Sequence, residues 1–124
     1  MLAASAAGPP APKAPAKLPP SPRGPVAVYD IACLRCHGPE GVNYGPTFGK
    51  TLTDKALRQA VVDMKDGKGN IELTETEIDA QTAYHRAIIL REPFVAVTLA
   101  TRERLAGECS EDALVTVTVD GKPV

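Results

Sequence analysis

Residues 33–37 read Cys33-Leu34-Arg35-Cys36-His37, and the interpretation of the whole sequence starts from this pentapeptide. The C-x-x-C-H spacing is the signature at which haem c is covalently attached. Positions i, i+3 and i+4 share one face of a helix, so both thiols can bond to the haem vinyl groups while the imidazole of His37 binds the iron. We therefore predict one covalently attached haem c on Cys33 and Cys36, with His37 as an iron ligand.

Two other uses of the cysteines stay open. A thioredoxin-like redox pair needs a βαβ context, and the sequence does not display one. A zinc site could use Cys33, Cys36 and Cys109 with either His37 or His85. Because the chain has three cysteines, a framework made only of disulfides is excluded. We expect Cys109 to be a free, small apolar residue, with a dimer-forming disulfide as the alternative.

The composition is that of one small globular unit. The chain has 124 residues, of which 44% are hydrophobic and 23% are charged. Its net charge of −1 argues against non-specific binding to nucleic acid. No apolar run approaches the roughly 18 residues that a membrane helix needs. We expect a monomer that neither spans a membrane nor binds nucleic acid.

Residues 1–25 differ in composition from the rest of the chain. They hold 8 of the 12 prolines, many alanines and no acidic residue. Such a stretch cannot bury enough apolar surface to offset the entropy of ordering it, so we predict a flexible arm. It lacks the basic start and apolar core of an intact signal peptide. Its Ala-Ala-Ser-Ala-Ala stretch is typical of a cleavage region, and we expect a signal peptide to have been removed.

Hydrophobic periodicity predicts helices in the middle of the chain. Thr74 and Glu77 form a capping-box pattern at the start of the last helix, and Pro93 stops that helix at about Arg91. A loop rich in glycine and proline covers residues 38–50. The predicted helices run over 26–33, 54–64 and 75–91.

After Pro93 the apolar period changes from 3.6 to 2. Residues 94–99 and 114–119 are predicted to be strands that face each other, with a helix-friendly stretch over 101–107 between them. The predicted fold class is mainly α. Residues 26–92 form the haem-binding region, and residues 93–124 form a small C-terminal lobe with two short strands packed on it.

Residues 26–91 resemble a monohaem class I c-type cytochrome. The resemblance rests on Cys-His-Gly-Pro-Glu-Gly at 36–41, Gly-Pro-Thr-Phe-Gly at 45–49, and Leu-Thr-Glu-Thr-Glu-Ile at 73–78 leading to Ala-Tyr-His at 83–85. It implies a class I cytochrome c-like helical haem domain, in which the last helix packs across the first. It also implies that the Pro46 carbonyl accepts the N–H of His37, which would fix the tautomer and raise the basicity of that ligand.

The sequence departs from this family at two points. Ile71 stands where the axial methionine is expected, and residues 94–124 have no counterpart in the minimal family fold. Together with the Ala/Pro arm, this combination resembles an atypical two-lobed periplasmic subclass from electroactive metal-reducing bacteria. It implies a soluble periplasmic one-electron carrier, not an enzyme, that exchanges electrons with redox protein partners.

Two residues are candidates for the remaining coordination position of the iron. Met64 is the only methionine besides Met1, and the glycine-rich turn after it could bring its thioether over the ring. We predict Met64 as this ligand, the alternative being that it only completes an apolar helix stripe. His85 is expected to be a buried, hydrogen-bonded histidine, with iron ligation as the minor alternative. If the position holds an exchangeable ligand, the protein would be a haem-based sensor, a small-ligand binder or a peroxidase-like haem protein.

Overall fold

The computed structural model describes residues 2–4 and 23–124. Helix accounts for 43% and strand for 16% of the structure. The strands form two small antiparallel sheets. In chain order the elements are β1 (Leu2–Ala4), α1 (Pro25–Ala32), α2 (Leu34–His37), a 3-10 turn (Pro39–Gly41), α3 (Asp54–Asp66), α4 (Glu75–Leu90), β2 (Val95–Ala100), β3 (Leu105–Cys109), β4 (Val117–Val119) and β5 (Lys122–Pro123).

The start of α1 is fixed from a distant part of the chain. Pro25 suits the first helical position because its φ is preset and it has no N–H to satisfy. The N-cap residue, Gly24, has no side chain that could cap the helix. Instead, the Glu108 carboxylate in β3 accepts hydrogen bonds from the Val26 and Ala27 amides, at 3.0 and 2.9 Å. Its negative charge also complements the helix dipole.

The central element of the fold is α4, which packs against both α1 and α3. The predicted capping box is confirmed. Thr74 Oγ1 accepts from the Glu77 amide at 3.1 Å, and the Glu77 carboxylate accepts from the Thr74 amide at 3.0 Å. The helix ends where Arg91 adopts a left-handed conformation with φ of 57°, two residues before Pro93. Local sequence signals therefore set both ends of α4.

Aromatic rings join α1, α4 and the residue that precedes β2 in the core. The Tyr29 and Tyr84 rings meet edge to face with centroids 5.5 Å apart, and Tyr84 lies 5.0 Å from Phe94. The Tyr29 hydroxyl donates to the Gly38 carbonyl at 2.6 Å, which ties α1 to the turn that follows His37. Burial raises the pKa of Tyr29 to about 12, so the hydroxyl keeps its proton and remains a donor at neutral pH.

The two sheets differ from the predicted pair of facing strands. β2 pairs with β3, whereas β4 lies between β1 and β5. A Cβ at Gly107 would lie 2.3 Å from the Ala96 carbonyl oxygen, so the close approach of β2 and β3 depends on glycine there.

The prediction of a mainly α fold is wrong, since the molecule combines helices with two sheets. The main error concerns residues 101–107, which were predicted to be helix-friendly. β3 occupies Leu105–Cys109 because its backbone pairs with β2, and such tertiary pairing overrides weak local preference. The strand predicted over 114–119 shortens to Val117–Val119. The helix predicted over 26–33 ends at Ala32, and α2 begins one residue after Cys33.

The prediction of a flexible arm over residues 1–25 falls mostly on residues 5–22, which lie outside the described residues. The backbone of Leu2–Ala4 forms β1 and pairs with β4, which the sequence did not indicate.

Within residues 2–4 and 23–124, no helix is both long enough and apolar enough to cross a membrane.

Candidate cofactor site

A cavity lies between α1 and α3, with α4 contributing to its wall. It encloses about 630 Å³, including space open to solvent. Its walls are largely apolar and include Val28, Leu57, Val61, Ile71 and Leu73. The apolar face of α3 and the end of the loop before α4 thus form one apolar surface.

Two residues of the C-x-x-C-H motif line this cavity, namely Cys33 and His37. Cys33 lies between α1 and α2 and is 7% exposed. Its carbonyl oxygen accepts a hydrogen bond from the His37 amide at 3.0 Å. Burial, followed by the nearby Cys36, raises the pKa of the Cys33 thiol to about 11. Cys36 is exposed and is not part of the cavity lining. All the cysteines are free thiols, so no disulfide competes for the motif.

The His37 imidazole is half-buried and neutral at physiological pH, because burial lowers its pKa. Its ring lies against Tyr44 with centroids 4.5 Å apart, and Tyr44 stacks on Phe48 at 4.4 Å. Among the described residues, the imidazole nitrogens have no hydrogen-bond partner. Pro46 is exposed in the loop. The role assigned to Pro46 by the resemblance stays a prediction.

Met64 lies in the last turn of α3, lines the same cavity as His37 and is 38% exposed. The chain turns back tightly after it, because the Gly69 amide donates to the Met64 carbonyl at 2.8 Å. A Cβ at position 69 would lie 2.8 Å from that oxygen, so the turn requires glycine. Arg35 of α2 donates to the Lys68 carbonyl at 3.1 Å and links α2 to the turn after α3. The predicted ligands His37 and Met64 therefore share one cavity.

Sequence reasoning missed Gln81, which lies one turn before His85 on α4 and also lines the cavity. Gln81 is 1% exposed and His85 is 8% exposed. His85 Nδ1 lies 2.9 Å from the Gln81 carbonyl oxygen and 3.2 Å from the Gln81 side-chain nitrogen. Burial lowers the pKa of His85 and is the largest contribution. The hydrogen bond to the Gln81 carbonyl raises this pKa, whereas the charge of His37 lowers it. The i, i+4 spacing on the apolar stripe is the signal that could have identified this pair.

The structure does not gather the cysteines and histidines of the alternative zinc site. In the described part of the chain, no three His, Cys, Asp or Glu side chains are placed to hold a metal ion together. Cys109 is exposed at the end of β3, rather than packed as a small apolar residue.

The residues present fit a covalently attached haem. One motif thiol and one neutral imidazole face an apolar cavity, while the second motif thiol, that of Cys36, is exposed. A buried polar atom in the lining, Gln81 Oε1, has no hydrogen-bond partner among the described residues. Comparisons with protein-family models, curated proteins and solved structures give no match for this chain. The site is therefore interpreted from its own residues.

Proposed function

We propose that this protein is a one-electron carrier with a single haem c attached through Cys33 and Cys36. The observation that supports it best is that Cys33, His37 and Met64 line one apolar cavity. A haem that transfers one electron at a time is served by iron ligands held in fixed positions and by an apolar surrounding. His37 lies in α2 and Met64 in α3, with Cys33 between α1 and α2, and these helices are joined through the contacts of α1 with α2 and of α4 with α1 and α3.

Each residue has a distinct task in this proposal. Cys33 and Cys36 hold the group covalently, so that it stays in place when the cavity opens. His37 supplies one iron ligand through an imidazole nitrogen, and Met64 supplies the other through its sulfur. The apolar walls exclude water from the iron. When bound, haem supplies reversible one-electron chemistry, and its potential depends on the ligand pair and on exposure.

The resemblance to monohaem class I c-type cytochromes supports a periplasmic carrier and not an enzyme. Its partners would be redox proteins of that compartment, and the chain would act as a monomer. The similarity to the two-lobed subclass from metal-reducing bacteria is consistent with the C-terminal β2–β3 sheet, whose strand β3 contacts α1. These assignments rest on the motifs at 33–37, 45–49 and 73–85.

The decisive experiment measures the mass of the protein produced with a haem c attachment system. We expect the intact mass to exceed the chain mass by one haem, with colour that survives acid–acetone extraction. Cys33→Ala/Cys36→Ala should lose both features. Cys109→Ala is the matched control and should keep them, because Cys109 lies in β3 outside the cavity. Extractable haem, or zinc in place of haem, would contradict the proposal.

The exposure of Met64 favours one second candidate, a haem protein with an exchangeable ligand that acts as a sensor, small-ligand binder or peroxidase. A thioether that is 38% exposed is less firmly held than a buried one. A far-red sulfur-to-iron absorption band in the ferric protein would support the carrier. A high-spin spectrum with rapid binding of carbon monoxide or reaction with peroxide would support the second candidate.

A further inference from the structure

We propose that His85 is a nitrogen ligand for the same iron and competes with Met64 for the coordination position that His37 leaves open. This inference rests on the proposed haem. It concerns a residue that the sequence predicted to be a buried, hydrogen-bonded histidine, with iron ligation as the minor alternative.

The hydrogen bonds of His85 decide which of its ring nitrogens carries the proton. Nδ1 lies 2.9 Å from the Gln81 carbonyl oxygen, the ordinary length of an N–H···O bond. A carbonyl oxygen only accepts, so Nδ1 donates and Nε2 carries a lone pair. In the described part of the chain, Nε2 has no hydrogen-bond partner. His85 lines the cavity, so this lone pair is available there.

This is the arrangement that a metal-binding histidine requires. Ligating histidines almost always donate their second ring N–H to a carbonyl, a carboxylate or water, which fixes the tautomer and the ring orientation. α4 itself provides that bond, since Gln81 and His85 are one turn apart. His37 has no such acceptor among the described residues, so His85 is the better oriented of the two imidazoles.

The side chain of Gln81 argues against a purely structural role for the pair. Buried polar atoms are almost always hydrogen-bonded, yet Gln81 Oε1 lacks a partner within residues 23–124 and the side chain is 1% exposed. Exchanging the amide oxygen and nitrogen would give Nδ1–H a second acceptor, but it would leave the other end of the amide unpaired. The cavity wall thus has one unpaired end of the Gln81 amide beside the unpaired Nε2 of His85, which suits an occupant that can bind a polar atom.

His85 shares a neighbour with the first proposed ligand, His37. The Tyr44 ring contacts both imidazoles, with centroids 4.5 Å from His37 and 6.2 Å from His85. His85 is 8% exposed, whereas Met64 is 38% exposed. A thioether ligand raises the reduction potential relative to an imidazole. Competition between Met64 and His85 would therefore give two ligation states with different potentials.

The test uses the ferric holoprotein and records absorption and electron paramagnetic resonance spectra. Met64→Ala should remain low-spin with two nitrogen ligands, and Met64→Ala/His85→Ala should become high-spin. Met64→Ala/Thr82→Ala is the matched control, because Thr82 is half-buried on α4 but does not line the cavity. It should remain low-spin. If the alanine double variant fails to fold by circular dichroism, His85→Phe keeps the volume without a ligand atom.

Two outcomes would overturn the inference. In one, Met64→Ala is already high-spin with His85 intact. In the other, Met64→Ala stays low-spin when His85 is replaced as well, which would assign the ligand to another base such as Lys65. Both outcomes are read on protein whose mass shows the attached haem. Failure of this inference is thus distinct from failure of the proposed function, in which no haem is attached.

Discussion

The buried environment of Cys33 predicts that its thiol reacts slowly in protein that carries no haem. Alkylation requires the thiolate, and burial raises the Cys33 pKa to about 11. In haem-free protein at pH 8, iodoacetamide should therefore modify the exposed Cys36 and Cys109 first. Cys33 labelling should increase as the pH rises towards 11, where its thiolate forms. Peptide mass mapping measures this order, and equal rates for Cys33 and Cys109 at pH 8 would contradict it.

Among individual residues, the sequence indicated the candidate site residues that belong to a recognisable motif or are rare in the chain. C-x-x-C-H is read from spacing alone, and Met64 stands out because the chain has few methionines. The pairing of Gln81 with His85 was not predicted, because a glutamine on a helix has no distinctive pattern until its burial is known. The exposure of Cys109 was missed for a related reason, since it depends on which strand pairs with β2.

Among the elements, α4 offers a direct test of local capping. Thr74→Ala removes the hydroxyl that accepts from the Glu77 amide and should lower the free energy of unfolding by about 1 kcal/mol. Thr76→Ala, in the exposed first turn of the same helix, is the control and should change stability much less. Urea denaturation of both variants measures the difference. Equal effects would show that the capping box contributes nothing specific.

The start of α1 depends on β3, which gives a prediction across elements. Glu108→Ala removes the carboxylate that accepts from Val26 and Ala27 and leaves two amides without that partner. We expect a loss of about 2 kcal/mol, since hydrogen bonds to charged groups contribute about 1.5–3 kcal/mol. Glu103→Ala is the matched control, because Glu103 is exposed between β2 and β3. Similar thermal midpoints for the two variants would contradict the capping role.

The elements with strong local signals were predicted well, and those that depend on pairing were not. α3 and α4 start at Thr53 and Thr74, whose hydroxyls accept backbone N–H groups. β3 has no comparable local signal, and its extended backbone follows from its bonds to β2. The same holds for β1, whose partner β4 lies more than a hundred residues away. Long-range pairing of this kind is not encoded in periodicity.

For the whole molecule, the proposed haem is expected to be part of the core. Small domains are marginally stable without covalent or cofactor support, and an apolar cavity lies between α1 and α3. Cys33→Ala/Cys36→Ala should therefore fold but melt at a clearly lower temperature than the holoprotein. Cys109→Ala should melt like the parent protein. Calorimetry measures the thermal midpoints, and a haem-free variant that melts near the holoprotein midpoint would refute this expectation.

The charge distribution predicts how the whole molecule meets a partner. Lys65 lines the cavity and Lys68 lies in the turn beside it, whereas residues 69–124 hold ten acidic and five basic residues. An acidic redox partner would be steered towards the cavity mouth. Its electron exchange should slow as salt rises, and slow further in Lys65→Glu/Lys68→Glu. Lys122→Glu, in β5, is the control, and a rate that changes equally in all variants would exclude steering.

The bonds from Glu108 to α1 also determine where deuterium enters the protein. The first amides of a helix normally exchange quickly, because no helical carbonyl accepts their protons. Val26 and Ala27 are bonded to a side chain of β3 instead. Their protection should therefore follow the opening of the β2–β3 hairpin and not the fraying of α1. Slow exchange at two residues near the C-x-x-C-H motif would thus report the stability of the β2–β3 hairpin.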